Sequence, residues 1–149
     1  MIGLLQRVNS ASVAIAGEEI AAIGAGLLVL VGIQLGDGEH QAERLLERLL
    51  GYRVFADPAG KMNLSVSDTG GDLLLVPQFT LAADTRTGMR PGFSTAADPE
   101  TGSRLFRLMV ELADQRHAGV ACGRFGADMQ VALVNDGPVT FWLEVAPTL

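Results

Sequence analysis

The chain has 149 residues, 48% of them hydrophobic, and a net charge of −6. Its length and apolar content fit one domain, residues 1–149, and the acidic balance excludes a protein that grips nucleic acid through a broad basic face. A single cysteine, Cys122, excludes an intramolecular disulfide and suits a reducing compartment.

The opening segment "MIGLLQRVNSASVAIAG" has neither a basic leader before a long apolar run nor a small-residue cleavage pattern, so it does not read as a signal peptide. Its alternation predicts strands in "GLLQRV" and "SVAIAGEEIAAIG", turned back at Gly17, and "GLLVLVGI" is the short continuous apolar run of a buried strand. The longest apolar stretch, Ala25 to Ile33, is far too short to span a bilayer. A cytoplasmic protein with no membrane partner is the expectation.

From Asp37 to Leu50 the period becomes helical. Ala42, Leu45, Leu46, Leu49 and Leu50 share one face, and Glu43, Arg44, Glu47 and Arg48 form a solvated one, which predicts an amphipathic helix packed on the sheet. "ADPAGKMN" is a turn, and "GGDLLLVPQFTL" is a buried strand running into a loop. The polar segment "DTRTGMRPGFSTAADPE" is long enough that a functional or disordered loop is expected. A second helix follows from about Pro99 to Gln115, with Leu105, Leu108, Met109 and Leu112 on its apolar face. The last segment, "CGRFGADMQVALVNDGPVTFWLEV", predicts a strand, a Gly-Pro turn and another strand. On these residues alone the turn is more simply a surface turn with a trans proline. The fold class is α+β: a single domain whose mostly antiparallel or mixed sheet curls into a barrel-like core with two main helices. The surplus of apolar side chains also suits a homo-oligomeric interface.

Side chains for ordinary catalysis are few. His40 and His117 stand apart from any Ser or Cys motif and fit surface roles, and Cys122, with no histidine or acidic neighbour in sequence, fits a small buried hydrophobe. No metal-ligand spacing and no phosphate-cradling glycine loop is present, so neither a metal nor another cofactor is expected. What remains is "PQFTLAAD", where a strand end opens into a loop and the backbone N–H groups and Thr80 hydroxyl can donate to a developing oxyanion. Thr80 satisfying a neighbouring carbonyl is the plainer alternative. "GRFGADMQV" sets glycines about Phe125, which fits either a close backbone approach to a ligand or a bulge.

Along nearly its whole length the chain resembles the D-aminoacyl-tRNA deacylases, the D-tyrosyl-tRNA(Tyr) deacylase family. The segments "LLQRVNSASVAIAGEEIAAIGAGLLVLVGI", "GKMNLSV", "QFTLAADTRTGMRPGFS" and "GRFGADMQVALVNDGPVTFWLE" carry the likeness, in order. The resemblance implies a cytoplasmic homodimer that hydrolyses the ester of a D-amino acid on the 3′ acceptor end of tRNA and also clears mischarged glycyl-tRNA. It implies a cis Gly137–Pro138 bond that enters the partner's active site, where its carbonyls hold the substrate amino group and leave no room for an L side chain. Gln78, Phe79 and Thr80 match the catalytic strand-end motif, Phe125 and Met129 match pocket residues, and Arg7 matches an arginine that braces the Gly-Pro turn. A role for the substrate's own 2′-hydroxyl is favoured over attack by Thr80, which has no evident general base. Arg86 and Arg90 in the long loop are candidate phosphate partners.

One position departs from the family pattern: Pro77 stands where serine usually precedes Gln-Phe-Thr-Leu, removing both a hydroxyl and a backbone N–H. A related deacylase for L-alanyl-tRNA also has proline there but lacks the phenylalanine matching Phe79, so the D-specific branch fits better. Two other function classes stay open: a non-catalytic RNA-end binding module, and a small-molecule esterase or amidase.

Overall fold

The computed structural model describes residues 1–148. Strand β1 (Ile2–Ile15) and β2 (Glu18–Ile23) form the predicted hairpin, joined by Ala16 at φ 50° and Gly17 at φ 80°. Two successive positive-φ residues match the right-handed twist of the paired strands. β3 (Gly26–Gly32) follows, then α1 (Glu39–Gly51), the short hairpin β4 (Phe55–Ala56) and β5 (Met62–Leu64), and α2 (Val66–Thr69). β6 (Asp72–Pro77) runs into a 3-10 turn at Phe79–Ala82, and α3 (Pro99–Arg116), β7 (Val120–Cys122) and β8 (Gln130–Glu144) complete the chain.

β1 is the axis of the sheet. On one side it pairs with β8 along nearly its whole length, and on the other with β3 over Ile2–Val8 and then β2 over Ala11–Ile15, all antiparallel. β3, β6 and β7 are parallel neighbours, so the sheet is mixed and curls into a nearly closed barrel. Alternate residues of β3 and β6 serve two cores. Leu27, Val29, Leu73 and Leu75 pack against Leu45, Leu49, Leu105 and Met109 of α1 and α3, while Leu28, Leu74 and Val76 fill the barrel with Val8 and Val13. Burial on both faces explains why these strands read as unbroken apolar runs. Below the barrel end, the Met1 ammonium donates to Gln34 Oε1, Asp37 Oδ1 and the Val145 carbonyl at 2.7–2.9 Å, tying both ends of the sheet together. Burial pushes the ammonium pKa down and the Asp37 carboxyl pKa up.

The structure corrects the sequence reading in three places. Among the described residues there are three α-helices rather than two: the four-residue α2 is held by Ser65, whose Oγ accepts from Asp68 N–H at 3.1 Å while Asp68 Oδ2 accepts from Ser65 N–H at 2.9 Å. The polar segment after the 3-10 turn is pinned: Asp84 and Gly92 exchange backbone hydrogen bonds, Thr95 Oγ1 donates to the Ala82 carbonyl at 2.6 Å, and Ala97 N–H to that of Ile33 at 3.0 Å. Third, no hairpin exists at Gly137–Pro138. β8 is one strand, and the Gly-Pro pair lies in a bulge where the step from Gln6 to Val8 on β1 faces the stretch from Thr140 back to Asn135. Among the described residues, no helix is long and apolar enough to cross a membrane.

Candidate active site

β6 delivers Pro77 to the barrel rim, where the parallel pairing with β3 ends opposite Val31. A strand's last position tolerates the missing proline N–H. Gln78 N–H still donates to the Val31 carbonyl at 2.8 Å, and the chain then tightens, with Leu81 N–H on the Gln78 carbonyl at 3.2 Å. Because that is the first bond of the 3-10 turn, the N–H groups of Phe79 and Thr80 precede it and are free to donate to a ligand. Phe79 is 58% exposed and stacks at a tilt on Phe93, with ring centroids 5.2 Å apart. The Thr80 hydroxyl accepts from the Gln78 side-chain amide, a group that cannot take its proton. Thr80 also walls an open cavity of about 750 Å³ shared with Gln34, Arg86, Trp142 and Glu144. The turn therefore offers donors and no nucleophile with a base.

The second predicted element lies apart from it. Residues 136–139 leave the ladder with β1, and Gly137 and Pro138 are exposed, joined by a cis peptide bond. Every other part of "NDGPVT" fixes the base of this bulge. Asn135 Nδ2 donates to Gln6 Oε1 at 3.0 Å and to Thr140 Oγ1 at 2.8 Å, its Oδ1 accepts from Val139 N–H at 2.9 Å, and the Val139 side chain is buried in the helix-side core. Arg7 donates from Nε to the Asp136 carbonyl at 3.0 Å and from Nη1 to the Val54 carbonyl at 2.6 Å, and its Nε lies 3.4 Å from Asp136 Oδ2. Gly137 sits at φ 133°, and a Cβ there would lie 2.7 Å from Val139 Cγ2 and 3.0 Å from Arg7 Nη2. Asn135, Val139 and Thr140 were missed as individual residues in the sequence, although the motif that contains them was noticed.

Phe125 and Met129 occupy a third region. Met129 Sδ accepts from the Arg124 N–H at 3.4 Å, and Gly123 lies between Met129 and Pro77, close enough that a Cβ would come within 2.8 Å of the sulfur and 3.3 Å of Pro77 Cδ. Phe125 packs over Gly102 of α3 and lines a separate cavity of about 320 Å³ with Phe106, Arg107, Cys122 and Arg124. Burial and the charge of Asp114 push the Cys122 thiol pKa up, the wrong direction for a nucleophile. The structure thus keeps Gln78, Phe79 and Thr80 in one turn, of which Thr80 lines the larger cavity, sets Phe125 beside another, and puts Gly137 and Pro138 on an exposed bulge that lines neither.

Of the remaining expectations, His40 is exposed on α1, and His117 Nε2 lies 2.6 Å from the Gly71 carbonyl, a structural contact. Arg86 is already engaged: its Nε and Nη2 donate to Asp84 at 2.8 and 2.7 Å, and that guanidinium holds the Asp84 carboxyl down to about 2. It is not an idle cation awaiting a phosphate. Arg90 has no such partner among the described residues.

Comparison with known proteins places the chain among close relatives. A family described as D-Tyr-tRNA(Tyr) deacylase matches residues 4–144. A protein of Thioalkalivibrio sulfidiphilus named D-aminoacyl-tRNA deacylase is 65% identical over 147 residues, 99% of each chain. One of the same name from Methylococcus capsulatus is 62% identical over 99% of this chain and 96% of its own. Among solved structures, the c-Myc DNA Unwinding Element Binding Protein superposes with a TM-score of 0.94 at 39% identity, over 98% of this chain and 99% of that one. A probable eukaryotic D-amino acid tRNA deacylase shares the fold, with a TM-score of 0.83 at 16% identity over 97% of this chain and 98% of that one.

Proposed function

The chain belongs to the D-Tyr-tRNA(Tyr) deacylase family, and from that premise we propose that it hydrolyses the ester of D-aminoacyl-tRNA, releasing the D-amino acid and tRNA, and that it does so as a cytoplasmic homodimer. Water adds its oxygen to the acyl carbon, the bond to the ribose 3′ oxygen breaks, and that oxygen takes the proton. The N–H groups of Phe79 and Thr80 receive the developing oxyanion, and the Thr80 hydroxyl, held by Gln78, positions the ester rather than attacking it. Activation of the water falls to the substrate's 2′-hydroxyl, since Gln78 is the only described partner of Thr80 Oγ1 and is no base.

Handedness is read by the bulge. Carbonyls of Gly137 and Pro138 from the partner subunit accept from the substrate ammonium, and the backbone there excludes a side chain in the L position while ignoring what a D side chain is. Glycine, with no side chain, passes the same filter, so glycyl-tRNA is a second substrate. Phe125 and Met129 line the pocket of the terminal adenosine, and Arg7 holds the bulge in place. The observation that carries this reading is the bulge itself: β8 steps out of its ladder to expose bare backbone, between Leu133 and Val134 on one side and Phe141 and Trp142 on the other, all exposed. Exposed apolar side chains on both sides of an outward backbone finger fit a second copy of the chain.

Deacylation of matched D- and L-tyrosyl-tRNA tests the activity: fast release of D-tyrosine with the L-ester spared is expected, and equal rates for both would overturn it. Sedimentation at micromolar concentration tests the dimer, which an active sample running only as monomer would refute.

A further inference from the structure

The protein carries 11 lysines and arginines against 17 acidic residues, and most of its arginines are occupied. Arg7, Arg44, Arg86, Arg104 and Arg116 face carboxylates, Arg48 donates to the Glu144 carbonyl, and Arg53 to Asn63 Oδ1. Among the described residues, the basic side chains without any such partner are Lys61, Arg90, Arg107 and Arg124. Arg107, on α3, and Arg124, in the loop after β7, line one and the same cavity, that of about 320 Å³, and no carboxylate lines it with them. In so acidic a chain, two guanidiniums without a carboxylate partner at one concavity outweigh the Asp114 charge felt at Cys122 on its wall and make an anion site. Two of its other walls are aromatic, the buried Phe106 and the partly buried Phe125, beside Ser103, Val110 and Cys122, and the Arg124 N–H bond to Met129 Sδ fixes the loop that presents both Arg124 and Phe125. Cations and an aromatic face around one hollow are the recognition chemistry of a single-stranded nucleic acid.

Building on the deacylase reading, we propose that this cavity holds the sugar-phosphate backbone of the unpaired nucleotides just before the 3′-terminal adenosine. Arg107 and Arg124 each bind a phosphate, and Phe125 is the wall shared with the adenosine pocket. The site explains how an acidic protein keeps hold of RNA: the contact is local, and the rest of the surface repels.

The test uses the full-length protein with Arg107→Gln, Arg124→Gln, the double variant, Arg124→Lys, and Lys61→Gln as a lone-cation control on the β4–β5 hairpin. Each single glutamine variant raises KM for D-tyrosyl-tRNA roughly tenfold with little change in kcat, and Lys61→Gln leaves KM unchanged. The double variant flattens the slope of log KM against log salt by about 1.4, since each phosphate on a single strand contributes about 0.7. Arg124→Lys restores most of its share of that slope. On D-tyrosyl-adenosine, which has no phosphate, the KM penalty shrinks. An unchanged KM and slope in the double variant, or an equal penalty on D-tyrosyl-adenosine, would overturn the proposal. Fluorescence anisotropy with a single-stranded RNA ending in CCA and carrying no amino acid separates this site from the reaction: weaker binding by the double variant supports the site even in an enzyme that turns nothing over, and equal binding refutes it.

Discussion

The turn at Gln78–Thr80 and the bulge at residues 136–139 are both places where a strand stops following its ladder, yet they end in opposite shapes. The turn folds inward into a 3-10 geometry against a cavity, and what it offers is hydrogen-bond donors. The bulge projects outward from a paired strand, and what it offers is bare backbone. A donor-lined hollow and an acceptor-bearing finger are complementary, but one chain holds them apart. On the proposed reading, that complementarity is met by a second copy, one shape receiving the ester and the other inspecting its α-carbon. The two shapes are also made differently. The turn rests on its own backbone bonds with the Thr95 hydroxyl on the Ala82 carbonyl, whereas the bulge needs Asn135, Val139, Thr140 and Arg7 to hold it out.

That contrast breaks most completely at Gly137. In Gly137→Ala, a Cβ within 2.7 Å of Val139 Cγ2, at φ 133°, forces the finger to move. We expect a loss of about 2 kcal/mol in stability and roughly 100-fold in kcat/KM for D-tyrosyl-tRNA. A variant that keeps both its D-activity and its full D-over-L ratio would show that the finger takes no part. Next in size is Arg7→Met, which leaves the carbonyls of Asp136 and Val54 without their donor. About 2 kcal/mol of stability should go, with the D-over-L ratio falling along with kcat/KM, as calorimetry and single-turnover assays would register.

The turn should be far more forgiving. Thr80→Ala removes a hydroxyl but leaves the two backbone donors, so activity within about tenfold of wild type is expected. Complete loss of turnover with substrate binding intact would make Thr80 the nucleophile after all. Least of all should pH matter at the cavity rim. Asp84 is held at about 2, below its ordinary 3.8, so its stabilising pairing with Arg86 is complete above pH 3.8 and fades only as pH falls toward 2. Between about pH 5 and 8 this pair should give no ionisation in kcat/KM; one that vanished in Asp84→Asn would contradict the assignment.

Local patterns carried much of the architecture. The helical stripes of α1 and α3 and the unbroken apolar runs of β3 and β6 were legible because burial on a known face writes itself into residue spacing. α2 was also legible in principle, since Ser65 and Asp68 stand at capping-box spacing, but four residues give no period to notice. The bulge was not. A Gly-Pro pair between apolar runs looks the same in a hairpin as in an interrupted strand, and what decides is the continuous edge of β1, more than a hundred residues earlier in the chain. The strand end at Gln78–Thr80 and the Gly137–Pro138 turn stood out in the residues themselves, but the roles of Gln78, Phe79, Gly137 and Pro138 were reached through family likeness. Arg107 and Arg124 look like ordinary solvated cations in sequence; only the packing of α3 beside β7 brings them to one cavity.

The pairing of β1 with β8 also sets a timetable. β1 is made more than a hundred residues before β8, and at about 5–20 residues per second the edge of β1 waits many seconds for its partner. Through that interval a long, partly apolar edge stands open to any other strand it meets. Slowed synthesis of the codons for β8 should therefore cost soluble yield more than the same delay placed earlier.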